Sequence, residues 1–270
     1  MRQFLLAGLL TGLVAGAIPA PGRATEFVPH QALYALTMMS ARQGSGIATV
    51  SGEMHADWTE DCDGWVFNHQ FALDVAYTTG SAGRITSNVT TWESRNGTEY
   101  HFNVRNLTDD QVIEAIEGMA RLADGKKGIA VFEQPEAKRI DLPRGTMFPI
   151  AHTELLLKLT EKAPTIIARP VFDGLSEDGA FEINAVIGPA IAPSKATTGA
   201  QATLADRRSW SVQMAFFPIG SSDAQPYHEI GLRLYDNGVA DDFVIRFAEF
   251  SVRARLREIE YYKRPVCTAQ

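Results

Sequence analysis

The chain has 270 residues, 45% apolar, 9% aromatic and 21% charged, a globular balance that excludes low-complexity disorder, collagen and coiled coil. With 25 Lys and Arg against 32 Asp and Glu, the formal net charge is −7 and the pI about 5.4. That charge argues against a nucleic-acid binder, which needs a cationic face, and against attraction to anionic membranes.

Met1-Arg2-Gln3 precedes an apolar run over residues 4–18, which Pro19, Pro21 and Gly22 then break. The run is shorter than the roughly 20 residues that span a bilayer, so residues 1–24 read as a secretory signal peptide. Cleavage is expected after Ala24, with Ala20 as the second choice and an uncleaved anchor as the alternative. Residues 25–270 then form one exported domain that is not an integral membrane protein. Export gives the two cysteines a meaning, because an even count in an oxidising compartment favours a disulfide. A metal pair or a reactive thiol is the competing reading, although no CxxC motif is present.

From residue 30 onwards, period-two segments bounded by Gly, Asn, Asp and Pro predict antiparallel strands. The first, 30–40, puts Ala32, Tyr34, Leu36 and Met38 on one face. Strands at 47–58, 65–78, 84–94 and 98–106 follow, with Asn96-Gly97 as the strongest hairpin signal. Residues 111–123 are ambiguous; Gly118 costs a helix about 1 kcal/mol relative to Ala, and the reading leans to a strand. A strand at 129–133 precedes the one convincing helix, 150–162, opened by Pro149 and stopped by Pro164. On it Leu155, Leu156 and Leu159 form a stripe, with His152 one turn earlier. Strands resume at 165–172, 180–187, 207–217 and 226–235, then at 241–262 as two strands meeting near Phe250. Residues 190–205 read as an exposed loop. About fourteen strands cannot stay flat, since open sheets rarely exceed about ten without curling. The expected fold is therefore mainly β, one curved antiparallel sheet wrapped around the helix.

The sequence holds no G-x-S-x-G, HExxH, Walker A or S-x-x-K pattern. The six His are scattered, and the acidic runs at 59–63 and 176–179 read as solvated turns rather than calcium loops. No metal and no cofactor are expected. The stripe of Leu155, Leu156 and Leu159, with His152, offers contacts for an apolar ligand, although core packing against the sheet is the simpler explanation of the leucines. The alternative from another class is an envelope hydrolase with His152 or His69 as base and Asp173 or Asp63 orienting it.

The segment Asp141-Leu142-Pro143-Arg144-Gly145-Thr146-Met147-Phe148-Pro149-Ile150-Ala151-His152 resembles the signature of the EipB-like cell-envelope integrity proteins of alphaproteobacteria. Val171-Phe172-Asp173-Gly174 and Ile187-Gly188-Pro189 resemble later family positions. Asp61-Cys62-Asp63-Gly64-Trp65 and Pro265-Val266-Cys267 resemble the family's bonded cysteines. The resemblance implies a periplasmic β-spiral of about fourteen strands around one central helix, similar to the lipoprotein carriers LolA and LolB, closed by a Cys62–Cys267 disulfide. It also implies a role in the envelope barrier without enzymatic activity, and a periplasmic tetratricopeptide-repeat partner. A lipid or lipoprotein acyl chain is a further expected partner.

Overall fold

The structure is a computed structural model that describes residues 26–123, 127–193, 198–222 and 224–267. The expected signal peptide lies outside the described residues.

Fourteen strands form one antiparallel sheet. They are β1 (His30–Ala41), β2 (Ile47–Glu60), β3 (Gly64–Tyr77), β4 (Ala82–Ser94), β5 (Glu99–Thr108), β6 (Gln111–Arg121), β7 (Gly128–Gln134) and β8 (Lys138–Leu142), followed by β9 (Thr165–Val171), β10 (Phe181–Ile191), β11 (Ser209–Pro218), β12 (His228–Tyr235), β13 (Ala240–Arg246) and β14 (Phe250–Tyr261). The spatial order is β8-β7-β6-β5-β4-β3-β2-β1-β14-β13-β12-β11-β10-β9. Nearly every connection is thus a hairpin between neighbours; β1 meets β14 in the middle, and β8 and β9 are the two edges of an unclosed, curved sheet. Helix α1 (Pro149–Leu159), extended by a 3-10 turn at Thr160–Lys162, lies between those edges in the chain.

Period-two patterning builds the inner face. Along β1, Ala32, Tyr34 and Leu36 are buried while Gln31 and Thr37 face water, the alternation that a pleated strand imposes. Of residues 111–123, Gln111–Arg121 form a strand, and alternation appears in its second half, where Ile116, Gly118 and Ala120 are buried. Gly118 is required there. A Cβ on it would meet the Val131 carbonyl oxygen at 2.3 Å and the Phe102 ring at 2.7 Å. The β5–β6 turn is made by Asp109 and Asp110, both at positive φ, a short loop of the kind that suits a hairpin's twist.

Three expectations need correction. Lys138–Leu142 is a strand that the periodicity did not reveal, because Lys138, Arg139 and Asp141 hide its pattern; charges of this kind blunt an edge strand. Residues 190–205 are not a wholly exposed loop. β10 runs on to Ile191, and a short helix α2 (Ala200–Thr203) buries Ala200 and Leu204 against the β1, β2 and β14 side of the core. The buried face of α1 is also rotated from the leucine stripe. Ile150, His152, Leu156 and Leu157 are buried, whereas Leu155 and Leu159 are half-buried on its flank. Ile150, Leu156 and Leu157 share one apolar cluster with Phe27, Trp65, Ile187, Trp210 and Leu234.

Candidate functional site

Helix α1 opens with Phe148 at its N-cap, which offers no capping side chain, and Pro149, which has no N–H. The next two N–H groups, of Ile150 and Ala151, donate to the two carboxylate oxygens of Glu93 on β4 at 2.7 and 2.9 Å. Glu93 is only 2% exposed. Burial pushes its carboxyl up from 4.5 to about 7, although the two helix N–H groups hold it down. A carboxylate far away in sequence thus does the work that a local Ser or Asp does at most helix starts.

The motif before the helix is a seam between the edges. Met147 donates its N–H to the Pro170 carbonyl at 2.9 Å and accepts from the Phe172 N–H at 3.0 Å, adding one parallel bridge to the outer side of β9. Phe148 is fully buried and stacks on Tyr100 at 4.9 Å. Thr146 Oγ1 donates to the Pro143 carbonyl at 2.8 Å.

Of the sequence-predicted residues, His152 is 4% exposed, and its Nε2 has no hydrogen-bond partner. Burial, helped by the Arg169 charge, lowers its pKa to about 4. Asp173 accepts the Leu175 N–H at 3.0 Å, its carbonyl accepts the Tyr100 hydroxyl at 2.9 Å, and burial raises its carboxyl. Gly174 follows at φ +68, with the Phe102 ring 2.5 Å from where a Cβ would stand. Val-Phe-Asp-Gly is therefore a turn device. No hydrogen bond joins His152 to Asp173 or to any other side chain among the described residues. His69 lies between Phe67 and Phe71, ring centroids 5.5 and 6.5 Å away, and burial lowers its pKa to about 4. Asp63 is exposed in a turn, where its N–H donates to Asp61 Oδ1 at 2.9 Å. The residues expected of a hydrolase are not assembled. No group of three or more His, Cys, Asp or Glu able to hold a metal occurs among the described residues.

Cys62 and Cys267 are bonded, with Cα atoms 5.6 Å apart across a sequence separation of 205. An ionic clasp lies beside them that the sequence did not reveal. The Glu60 side chain, almost wholly buried, takes Arg95 Nη1 at 2.7 Å and Arg264 Nη1 at 3.2 Å. Arg95 also donates to the Asp61 and Cys62 carbonyls at 2.7 and 3.2 Å. Arg264 donates to the Phe27 carbonyl and pairs with Glu26 at 3.0 Å.

The inner face is not covered evenly. Around the buried Leu36, Val50, Leu73 and Val252 lie the half-buried side chains of Met38, Ile47, Phe71, Ile85, Ile245 and Phe250. Register puts Ile85 opposite Leu73, and Met38 and Ile245 both opposite Val252. The surface reaches the end of the sheet where the β1–β2, β3–β4 and β13–β14 turns lie. Exposed Met39, Tyr77 and Phe247 stand at those turns, Phe247 with its ring 5.0 Å from Phe250. No helix of the described residues is long and apolar enough to cross a membrane.

Comparison with known proteins places this architecture. The cell envelope integrity protein EipB of Brucella abortus (strain 2308) is 28% identical over 251 residues, 92% of this chain and 89% of that protein. A crystal structure of a β-barrel-like protein of a domain of unknown function from Brucella abortus superposes with a TM-score of 0.81 at 28% identity, covering 89% of this chain and 100% of the other. The EipB-like family model matches residues 21–263, and the chain belongs to the EipB-like family.

Proposed function

We propose that the chain is a non-catalytic periplasmic protein that maintains the integrity of the cell envelope by holding an apolar segment at the open end of its inner face. That segment is an acyl chain or an apolar stretch of a protein partner, such as a tetratricopeptide-repeat protein. The observation that carries this reading is the apolar surface of Met38, Ile47, Phe71, Ile85, Ile245 and Phe250, continuous with the core and ending at exposed Met39, Tyr77 and Phe247. Apolar area left wet forgoes about 25 cal/mol per Å², and a contiguous patch of this kind marks a surface that something covers. A concave apolar surface with few polar groups suits a hydrocarbon or a protein segment rather than a polar transition state. In this reading the sheet coils about α1 in the manner of the carriers LolA and LolB, and the envelope role carried by the Brucella relative's name extends to this chain. α1 supplies core, and the turn end at Tyr77, at the other end of β3 and β4 from the Glu93 cap, supplies the binding surface.

The test is complementation of cells that lack the protein. Tyr77→Asp with Phe247→Asp changes two exposed side chains and should leave melting within a few degrees of the parent. It is expected to leave the cells as detergent-sensitive as the deletion. Full restoration of the barrier by this variant would overturn the reading.

A further inference from the structure

The outer face of the same strands carries a second, chemically different surface. Ile259, Ala32, Ala56, His69 and Val89 are register partners across β14, β1, β2, β3 and β4. All five turn their side chains inward, so the residues before and after each one project outward as two parallel rows. Between the rows runs a trough of about 690 Å³. Five strands at about 4.8 Å spacing give it a length of roughly 19 Å.

The rows are cross-linked ladders. Gln70 Nε2 donates to Asn88 Oδ1 at 3.1 Å, and the Thr90 hydroxyl donates to Asn68 Oδ1 at 3.0 Å. At the β14 end Gln31 Nε2 donates to Glu260 at 2.7 Å. Each bond fixes an amide while leaving other donors and acceptors of the same groups unused, since a primary amide has two N–H bonds and two lone pairs. Asp57 stands between Gln31 and Asn68 in register, with one carboxylate oxygen buried beneath the row. Past Thr90 the trough continues into a depression of about 370 Å³, whose lining includes Trp92 and His101, their rings edge to face at 5.5 Å. No Lys or Arg lines either part.

We propose that this trough binds an extended, uncharged oligosaccharide, its hydroxyls taken by the amide ladders and one ring face laid against Trp92. The charge pattern selects the class. A lining whose polar groups are amides, a hydroxyl, carboxylates and imidazole, with no Lys or Arg, disfavours phosphate, sulfate and nucleic acid at short range. It offers a hydroxyl-rich chain paired donors and acceptors in rows matched to an extended polymer, while the indole contributes area to the apolar face of a sugar ring. The site lies on the opposite face of the sheet from the apolar surface and does not depend on it.

Isothermal titration calorimetry of the full exported chain with chito-, cello- and malto-oligosaccharides, and with a heparin oligosaccharide as the polyanion, tests this. At least one neutral oligosaccharide is expected to bind. Asn68→Ala with Asn88→Ala should weaken it at least tenfold at unchanged melting temperature, Trp92→Ala should weaken it as well, and Tyr77→Asp with Phe247→Asp should leave it intact. Absence of binding by all three neutral series at millimolar concentration, binding unaffected by the paired Asn substitutions, or preference for the polyanion would overturn the proposal.

Discussion

Glu93 shows how a single side chain ties the sheet to the helix. Its carboxyl titrates from 4.5 in an open chain to about 7 in the fold. Between those values the folded chain keeps a proton that the unfolded chain releases, so its contribution to stability is full below about 4.5 and is lost as pH rises through about 7. His69 and His152 work in the opposite direction. Their pKa values fall from 6.5 to about 4, so the stability they support is present above 6.5 and is lost as pH falls through about 4. The two effects partly cancel in mild acid. Glu93→Gln removes one side of that balance, and the unfolding free energy from urea titrations between pH 6.5 and 4.5 should then fall more steeply than in the parent, by about 1.4 kcal/mol per pH unit. An unchanged slope would mean that Glu93 is ionised throughout.

His152 makes the complementary case. A buried ring nitrogen with no partner is a cost, and a flexible apolar side chain of similar size removes it. His152→Met should fold at pH 7 with stability equal to or above the parent and lose less of it on acidification. Loss of the fold would show that the imidazole has a partner. Neither residue's role was legible in the sequence. Glu93 lies more than fifty positions from the N–H groups it caps, and His152 sits in a motif whose conspicuous letters, Pro-Ile-Ala-His, serve a seam and a helix start rather than chemistry. The Asp173 turn was legible, because Asp-Gly dictates local geometry.

At the scale of elements, what could be read depended on whether the local pattern and the tertiary environment agreed. β1 and α1 announce themselves through alternation and through Pro149 and Pro164. The segment Gln111–Arg121 did not, because its half at the β5–β6 turn, Gln111–Glu114, is exposed on both faces. The strand is decided by a neighbour, since Phe102 and the Val131 carbonyl leave no room beside Gly118. Gly118→Ala should therefore destabilise the protein by about 1–3 kcal/mol despite the usual benefit of Ala over Gly, measurable by urea unfolding; a neutral effect would contradict the packing. The tail after β14 is held twice, by Cys62–Cys267 and by Arg264 on Glu60 and Glu26. Cys62→Ser with Cys267→Ser should cost at most about 5 kcal/mol through restored chain entropy. Arg264→Ala should cost more in that background than alone, because the reduced tail then depends on the clasp. Equal costs in both backgrounds would show that the clasp and the sulfur bridge act independently.

Across the whole molecule, the strand order follows the chain so closely that the fold is a meander whose two ends, β8 and β9, are joined by a helix and the short Met147 seam instead of by a strand ladder. The number of strands alone implies curvature, and one curved sheet is what the chain forms. The two faces were not legible, because period-two patterning separates inside from outside without saying where the inside is left uncovered. That depends on which turns crowd together at one end, and on α2, whose Ala- and Thr-rich surroundings resemble a loop.

The apolar inner surface beside Tyr77 and Phe247 is tested by native mass spectrometry of the protein purified from its native cell envelope, followed by solvent extraction. A bound apolar species, lipid or peptide, is expected, released by solvent and missing from the Tyr77→Asp, Phe247→Asp variant. Bare protein mass in every preparation, with no uptake of added acyl chains or apolar peptides, would contradict it.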